Sequence, residues 1–442
     1  MAFQNVPEEL LDAIISRLSG HDLLTARLVC HRWKVLASKD LFHTISLVPT
    51  DKGFDKWYHC VNDEGPRSLA RRLVIYTTIG EGNSLAQYYD AWYDVKKSRD
   101  RREEDPERLD PISSFADFPQ VDQLCLVFSS VCLGELTDDF TAWHIELMEA
   151  RKSLLEDVFE AIKTRYERPN TSKIRHLTIQ NLQNVPLPEF TSSELFRSVT
   201  EHLEQLDLQV IVEHNEDDPD SDIHWLERRT FEPYMHEAWL APLSDQLTSL
   251  SLSFDEHWGT MPGTFTGHGL VFPHLKTLKL GRYSISHYDH LDWVLAQPSL
   301  RTLIFEHCRV VSHVWERVEV IEIWEVATRD WFRLSPDIFD GFHKDAPYHF
   351  PGTWEFMFDK IRLGLPHLID FQFQIAWSGR YVAYQGETMP TRWIWGRENG
   401  DKEFGDGIGF ETERKMLNRA KETDEGDSRA LEELREATRR RS

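Results

Sequence analysis

No stretch of the 442 residues approaches the ~20 consecutive apolar positions that a membrane-crossing helix needs. The chain does not open with a basic start and a continuous apolar run, so no secretory leader is expected. Cysteine is scarce and odd in number. Cys30, Cys60, Cys125, Cys132 and Cys308 are widely spaced, and no Cys/His cluster has zinc-ligand spacing. Reduced thiols in a cytoplasmic or nuclear protein are the expectation, with no metal and no cofactor. Positive charge is in deficit, with 50 Lys and Arg against 74 Asp and Glu, a net −24. That balance repels phosphate over long range and argues against nucleic acid as a partner, despite Arg27, His31, Arg32 and Lys34 lying close together. Also missing are a G-x-x-x-x-G-K-[ST] loop, H-E-x-x-H, G-x-S-x-G, and G-x-G-x-x-G after a strand. Gly405-x-Gly407-x-Gly409 lacks the strand–helix setting and reads as a turn. The chain is not expected to be an enzyme.

Apolar residues are plentiful, at 40% with 15 Trp and 25 Phe, enough for a sizeable core in one elongated domain or two to three compact ones. The first 47 residues organise the rest. Leu10, Leu11, Ile14, Ile15 and Leu18 fall at helical spacing. Pro7 suits a first turn, Glu8 and Glu9 complement the helix dipole, and Gly20 reads as a left-handed stop. A second helix is predicted from Asp22 as N-cap through Leu23, Leu24 and Leu28. A third carries Trp33, Leu36 and Ala37, followed by Leu41, Phe42, Ile45 and Leu47. Three helices in about 45 residues fall below the size at which domains become comfortable alone, so this unit needs a partner.

The order Pro7-Glu8-x-Leu10, Ile14, Leu18-Ser19, Asp22-Leu23-Leu24, Leu28-Val29-Cys30, Trp33, Leu36-Ala37, Leu41-Phe42 resembles the F-box. Val6 stands where a leucine is usual, and Phe42 stands near a common tryptophan; both remain apolar. The resemblance implies a trihelical module over residues 1–48 that docks a Skp-type adaptor and, through it, a cullin–RING ubiquitin ligase. Val6, Pro7, Leu10, Leu11, Ile14, Leu23, Leu24, Val29, Cys30 and Trp33 would form or support that interface, some of them filling the module's own core. The function implied is that of a substrate-recognition subunit; the alternative is an adaptor-bound scaffold outside any ligase.

Farther along, Phe54, Trp57, Tyr58 and Val61 have helical spacing, and Arg71 to Tyr76 reads as a strand. Lys96 to Arg108 is almost wholly charged and reads as a solvated loop. A pattern of apolar, two residues, apolar, one residue, apolar begins at Val121. It recurs from Ile174, Leu203, Leu247, Leu275, Leu300 and Leu368, at first-position spacings of 25 to 68 residues. It resembles the strand portion of a leucine-rich repeat, and divergent repeats behind an F-box are common among fungal proteins; separate strands of an α/β domain would show the same pattern. Helices are predicted between the copies, at Trp143 to Arg168 and Tyr288 to Leu295. Glu213 to Asp222 is acidic but has neither the glycine nor the glutamate of a calcium-hand loop. The aromatics between Trp324 and Trp395 suit core packing, and the tail after Glu411 reads as a solvated helix or disorder.

The fold class expected is α/β, α+β overall: a three-helix F-box, then over residues 49–395 an irregular leucine-rich-repeat-like solenoid with short parallel strands and helices, then a charged tail over 396–442. In such strands the residues between the apolar positions face outward together. His176, Gln180, Gln205, Asp207, Gln209, Lys279, Glu306, Asp370, Gln372 and Gln374 would thus form a polar face for an unknown target protein, with more acids than bases and suited to a polar or mildly basic segment.

Overall fold

The computed structural model describes residues 6–77, 111–132, 148–212, 226–315, 318–334, 348–374, 392–396 and 420–441. The charged run at Lys96, the acidic run at Glu213, the glycines at Gly405 and the side chains of Trp377 and Trp393 lie outside them. Among the described residues, no helix is long and apolar enough to cross a membrane. The chain forms two compact units, one of residues 1–130, 139–180 and 193–203, the other of 131–138, 181–192 and 204–442.

The first unit begins with α1 (Glu8–Ile15), α2 (Gly20–Ala26) and α3 (His31–Leu41). Strands β1 (Thr44–Leu47), β2 (Arg72–Tyr76), β3 (Gln123–Val127) and β4 (His176–Gln183) follow in a parallel sheet, with Thr44, Arg72, Gln123 and His176 in one register row. The first strand therefore comes from the segment read as the F-box. Between β1 and β2 run α4 (Asp51–Asn62) and α5 (Glu64–Leu69). Helix α4 starts where the Thr50 hydroxyl accepts from the Gly53 amide, at 3.0 Å. Only glycine fits at position 53, since a Cβ there would stand 2.2 Å from the Val48 carbonyl oxygen. Its apolar face buries Trp57, which donates to Ser114 Oγ at 2.8 Å and packs on Phe118.

Helix α6 (Met148–Tyr166) buries Leu154, Leu155, Val158, Phe159 and Ile162, an apolar face at helical spacing. Phe159 stacks on Phe196 of α7 (Glu194–Thr200). At the end of α6, the fully buried Arg165 donates to the carbonyls of Phe118, Pro119 and Val121, fixing the turn that feeds β3. Burial lowers this guanidinium to about 10, so it stays charged at neutral pH.

The second unit holds β5 (Gln205–Ile211), β6 (Ser249–Trp258), β7 (Thr277–Ile285), β8 (Thr302–Glu306) and β12 (Asp370–Gln374), all parallel and adjacent in that order. Leu206, Leu250, Leu278, Leu303 and Phe371 share a register row and are buried. The first positions of these apolar copies, Leu247, Leu275, Leu300 and Leu368, are buried as well. Each of the seven apolar copies read from the sequence leads into a strand. At matching positions past Gly281 and Glu306, Arg282 and His307 take left-handed backbone, φ +57° and +56°, so both strands turn at the same register.

Helix α8 (Leu226–Tyr234) precedes β6, and α9 (Asp292–Leu295) is all that forms of the helix expected from Tyr288. Tyr283, with both Phe265 and His290 carbonyls accepting from its hydroxyl, sits among Trp258, Phe265 and Trp293. A second small sheet joins β9 (Arg309–Trp315), β10 (Phe332–Arg333), β11 (Tyr348–His349) and β13 (Arg392–Gly396), with β10–β11–β9 antiparallel and β13 parallel to β9. Helix α10 (Trp354–Gly364) buries Trp354, Met357, Phe358 and Ile361, and two of these rings, Trp354 and Phe358, pack on Phe371 and Phe373 of β12.

The charged tail, expected as a solvated helix or disorder, is helical over its described residues. Residues Ala420–Arg441 form α11, which buries Asp427, Ala430, Leu431 and Leu434 and runs along α10. Asp427 accepts from the Glu355 amide at 2.7 Å, at the start of α10. Arg441 donates to the carbonyls of Leu365 and Arg362 at its end. A carboxylate thus meets the positive end of α10 and a guanidinium its negative end. One of the three terminal arginines is thus spent on a helix end.

Candidate functional site

Six of the fourteen exposed large apolar side chains among the described residues fall between Leu10 and Val35. This concentration follows from how α1 to α3 divide their apolar residues. Leu11, Ile15, Leu23, Ala26, Leu36 and Ala37 turn inward as a small core, with Val6, Leu18, Trp33 and Leu41 packed against it. Leu10 and Ile14, one turn apart on α1, turn outward, as do Leu24 of α2, Leu28 and Val29 of the following turn and Val35 of α3. A helix can aim two neighbouring positions at one side only over a limited arc, so Leu10–Leu11 and Leu23–Leu24 serve opposite purposes.

Local chemistry holds the three helices in place. Ser19 caps α2: its hydroxyl accepts from the Asp22 amide at 3.3 Å and donates to the Asp22 carboxylate at 2.6 Å. Ser19, not Asp22, is therefore the N-cap, and Gly20 opens α2 instead of ending α1. Pro7 likewise precedes the first turn of α1, and its carbonyl accepts from Leu11 at 3.1 Å. The Arg32 guanidinium donates to the Val6 carbonyl at 2.7 Å, tying the start of the chain to α3.

Residues 3–48 match the F-box-like family. The match covers about a tenth of the chain, and no curated protein matches it. F-box domains are typically interaction modules that bind Skp-type adaptors, most often as components of cullin-based ubiquitin ligases, and are typically non-enzymatic. In this F-box-like segment Pro7, Leu10, Ile14, Leu24, Val29 and Cys30 are exposed. Leu11 and Leu23 are buried and Val6 and Trp33 half-buried, so these four shape the surface from below. Leu28, 85% exposed, and Val35 are not among the interface residues that the resemblance implies. Their signal was there: Val35 adjoins Leu36-Ala37, and three consecutive apolar positions on a helix cannot all face one core.

The polar positions of the strands divide between the units. In the first unit His176 and Gln180 are half-buried, and the row between them runs from Thr178 through Cys125 to Val74, the last two buried. Strands β2 and β3 are covered on both faces, and the alternation expected from the pattern fails there. In the second unit it holds through β5, β6, β8 and β12.

That face carries Gln205 with Asp370 in one row, Asp207 with Lys279 and Gln372 in the next, and Gln209 with Glu306 and Gln374 in a third. Its groups already bond to one another. Lys279 and Glu306 are 2.7 Å apart, and Gln372 donates to Asp370 at 2.8 Å and accepts from Gln374 at 3.1 Å. Burial pushes the Asp207 carboxyl up, against hydrogen bonds with Ser251 and Gln209 and the pull of Lys279. The face is therefore a bonded lattice with spare acceptors on Glu306 and Asp370, less open than the sequence implied.

Proposed function

We propose that this protein is the substrate-recognition subunit of a Skp–cullin–F-box ubiquitin ligase, resident in the cytoplasm or nucleus. The observation that carries the reading is the outward stripe of Leu10, Ile14, Leu24, Leu28 and Val29 on a segment whose inward residues already fill its own core. Apolar area left over after the core is complete suits a protein partner. The mechanism is proximity: one surface holds the adaptor while another holds a target, raising the effective concentration of activated ubiquitin near target lysines. Mixing the purified chain with a Skp-type adaptor and cullin tests it. Co-elution with both supports a ligase subunit, co-elution with the adaptor alone supports an adaptor-bound scaffold, and no adaptor binding removes the reading.

For the target we take the polar face of β5, β6, β7, β8 and β12, which the in-register strands make resemble one side of a leucine-rich-repeat solenoid, as the docking surface for a basic segment. Glu306→Lys with Asp370→Lys is expected to change the set of proteins captured when the ligase is blocked, and to remove the loss of capture on raising salt. Asp207 is left in place, because its half-buried carboxyl belongs to the lattice. A capture profile and salt response identical to the native chain would move the target elsewhere.

A further inference from the structure

An open cleft of about 500 Å³ in the second unit lies off the polar face, at the N-terminal ends of β7, β8 and β12. Lys276, Ser299, Arg301, His367, Ile369 and Arg441 line it, with two prolines. Lys276 and Arg301 each stand one residue before the register row Thr277–Thr302–Asp370, on adjacent strands. The ladder fixes them there. The Lys276 carbonyl accepts from Arg301 and Thr302, and the Arg301 carbonyl accepts from Ile369 and Asp370. Neighbouring strands are ~4.8 Å apart, so two like charges are held side by side, an arrangement that costs stability unless something offsets it.

Nothing in the lining offsets it. No carboxylate is among the lining residues, although the chain carries 74 Asp and Glu. Lys276, Arg301 and His367 are exposed. Arg441 adds a third fixed cation, held by the carbonyls of Leu365 and Arg362 at 2.8 and 3.0 Å rather than by an acid. In a chain of net charge −24 this is a local reversal of sign.

We infer that the cleft binds a phosphomonoester dianion. A lone carboxylate brings one negative charge and two oxygens, which a single arginine satisfies. A phosphate ester brings close to two charges and three terminal oxygens, matching a lysine point charge, an exposed guanidinium fork and a fixed second guanidinium. The cleft is wider than a bare phosphate, leaving room for the group that carries it. That group is either a small molecule or a phosphorylated side chain, and the test separates the two. The site is independent of the adaptor surface.

The experiment is calorimetric titration of the full chain at low salt with O-phosphoserine, with a Gly-Gly-phosphoserine-Gly-Gly peptide and its unphosphorylated form, and with acetate. Both phosphorylated probes are expected to bind, and acetate and the plain peptide are not. Comparable affinity for the two phosphorylated probes indicates a small phosphoester as the ligand; tighter binding of the peptide indicates a phosphorylated segment. Lys276→Gln with Arg301→Gln is expected to weaken binding about 100-fold, roughly tenfold for each charged hydrogen-bond donor removed. Both side chains are exposed, so the thermal midpoint should hold or rise as their repulsion is relieved. No binding of phosphorylated probes at millimolar concentration, equal binding by acetate, or native affinity in the double variant would overturn the site.

Discussion

Leu10→Asp with Ile14→Asp is expected to weaken binding of a Skp-type adaptor at least about 100-fold while leaving the thermal midpoint of the chain in place. Leu10 is 58% exposed and Ile14 45%, so neither contributes much to the fold. Aspartate at position 10 even lies in the first turn of α1, where negative charge is favoured by the helix dipole. In the complex, each carboxylate would be buried unpaired against apolar surface, a penalty of several kcal/mol, and every 1.4 kcal/mol is tenfold in affinity. Leu11→Asp is the contrasting control. Its side chain is wholly buried in the helical core, so that variant loses the module itself. Titration of purified adaptor, with thermal melting alongside, separates the two outcomes. Affinity within about threefold of the native chain would remove the exposed stripe as the docking surface.

The largest stability loss is expected from Arg165→Met. The substitution keeps length and apolar bulk but removes the donors that serve three carbonyls. Pro119 keeps its bond from the Ser172 amide, whereas Phe118 and Val121 lose the donor that fixes the turn before β3. A buried acceptor left without a partner costs about 1–3 kcal/mol, so the pair costs roughly 2–6 kcal/mol. For a unit of this size that lowers its melting transition by roughly 5–15 °C. Arg165→Lys should recover only part, since one ammonium cannot reach all three oxygens in the fork geometry of the native side chain. A melting transition within 2–3 °C of native, on the order of a 1 kcal/mol change, would show that the turn is held by other contacts.

Leu10 and Arg165 mark what the sequence reveals and what it hides. The F-box-like helices, β2 and the strands of the seven apolar copies could be read from local periodicity, because burial on one face imposes a spacing of 3.6 or 2 along the chain. Ser19 was passed over because Gly20 beside it looked like a stop, yet a Cβ at Gly20 would meet nothing within 4 Å. Arg165 gave no local signal at all: its acceptors lie more than 40 residues earlier in the chain. Helix α11 was taken as solvated because it has few apolar side chains; Ala430, Leu431 and Leu434 suffice, since α10 supplies the large rings. On β3 the position between Leu124 and Leu126, Cys125, is buried, covered on a face that the pattern left open. The exposed apolar stripe of α1 to α3 could be traced only in part, because periodicity finds apolar residues without saying which of two apolar neighbours points away.

Helix α11 touches both ends of α10, with Asp427 at one and Arg441 at the other, and this makes it a gauge of α10's length. Fourteen positions separate the two contacts on α11, while on α10 the Glu355 amide donates at the start and the Leu365 carbonyl accepts at the end. Each residue added to a helix advances it 1.5 Å and rotates it 100°. An insertion or deletion of one residue between Glu355 and Leu365 could therefore keep one contact only by breaking the other. Point changes on the outer face of α10, at Leu363 for instance, meet no such constraint. The helix is open to new side chains and closed to a new length.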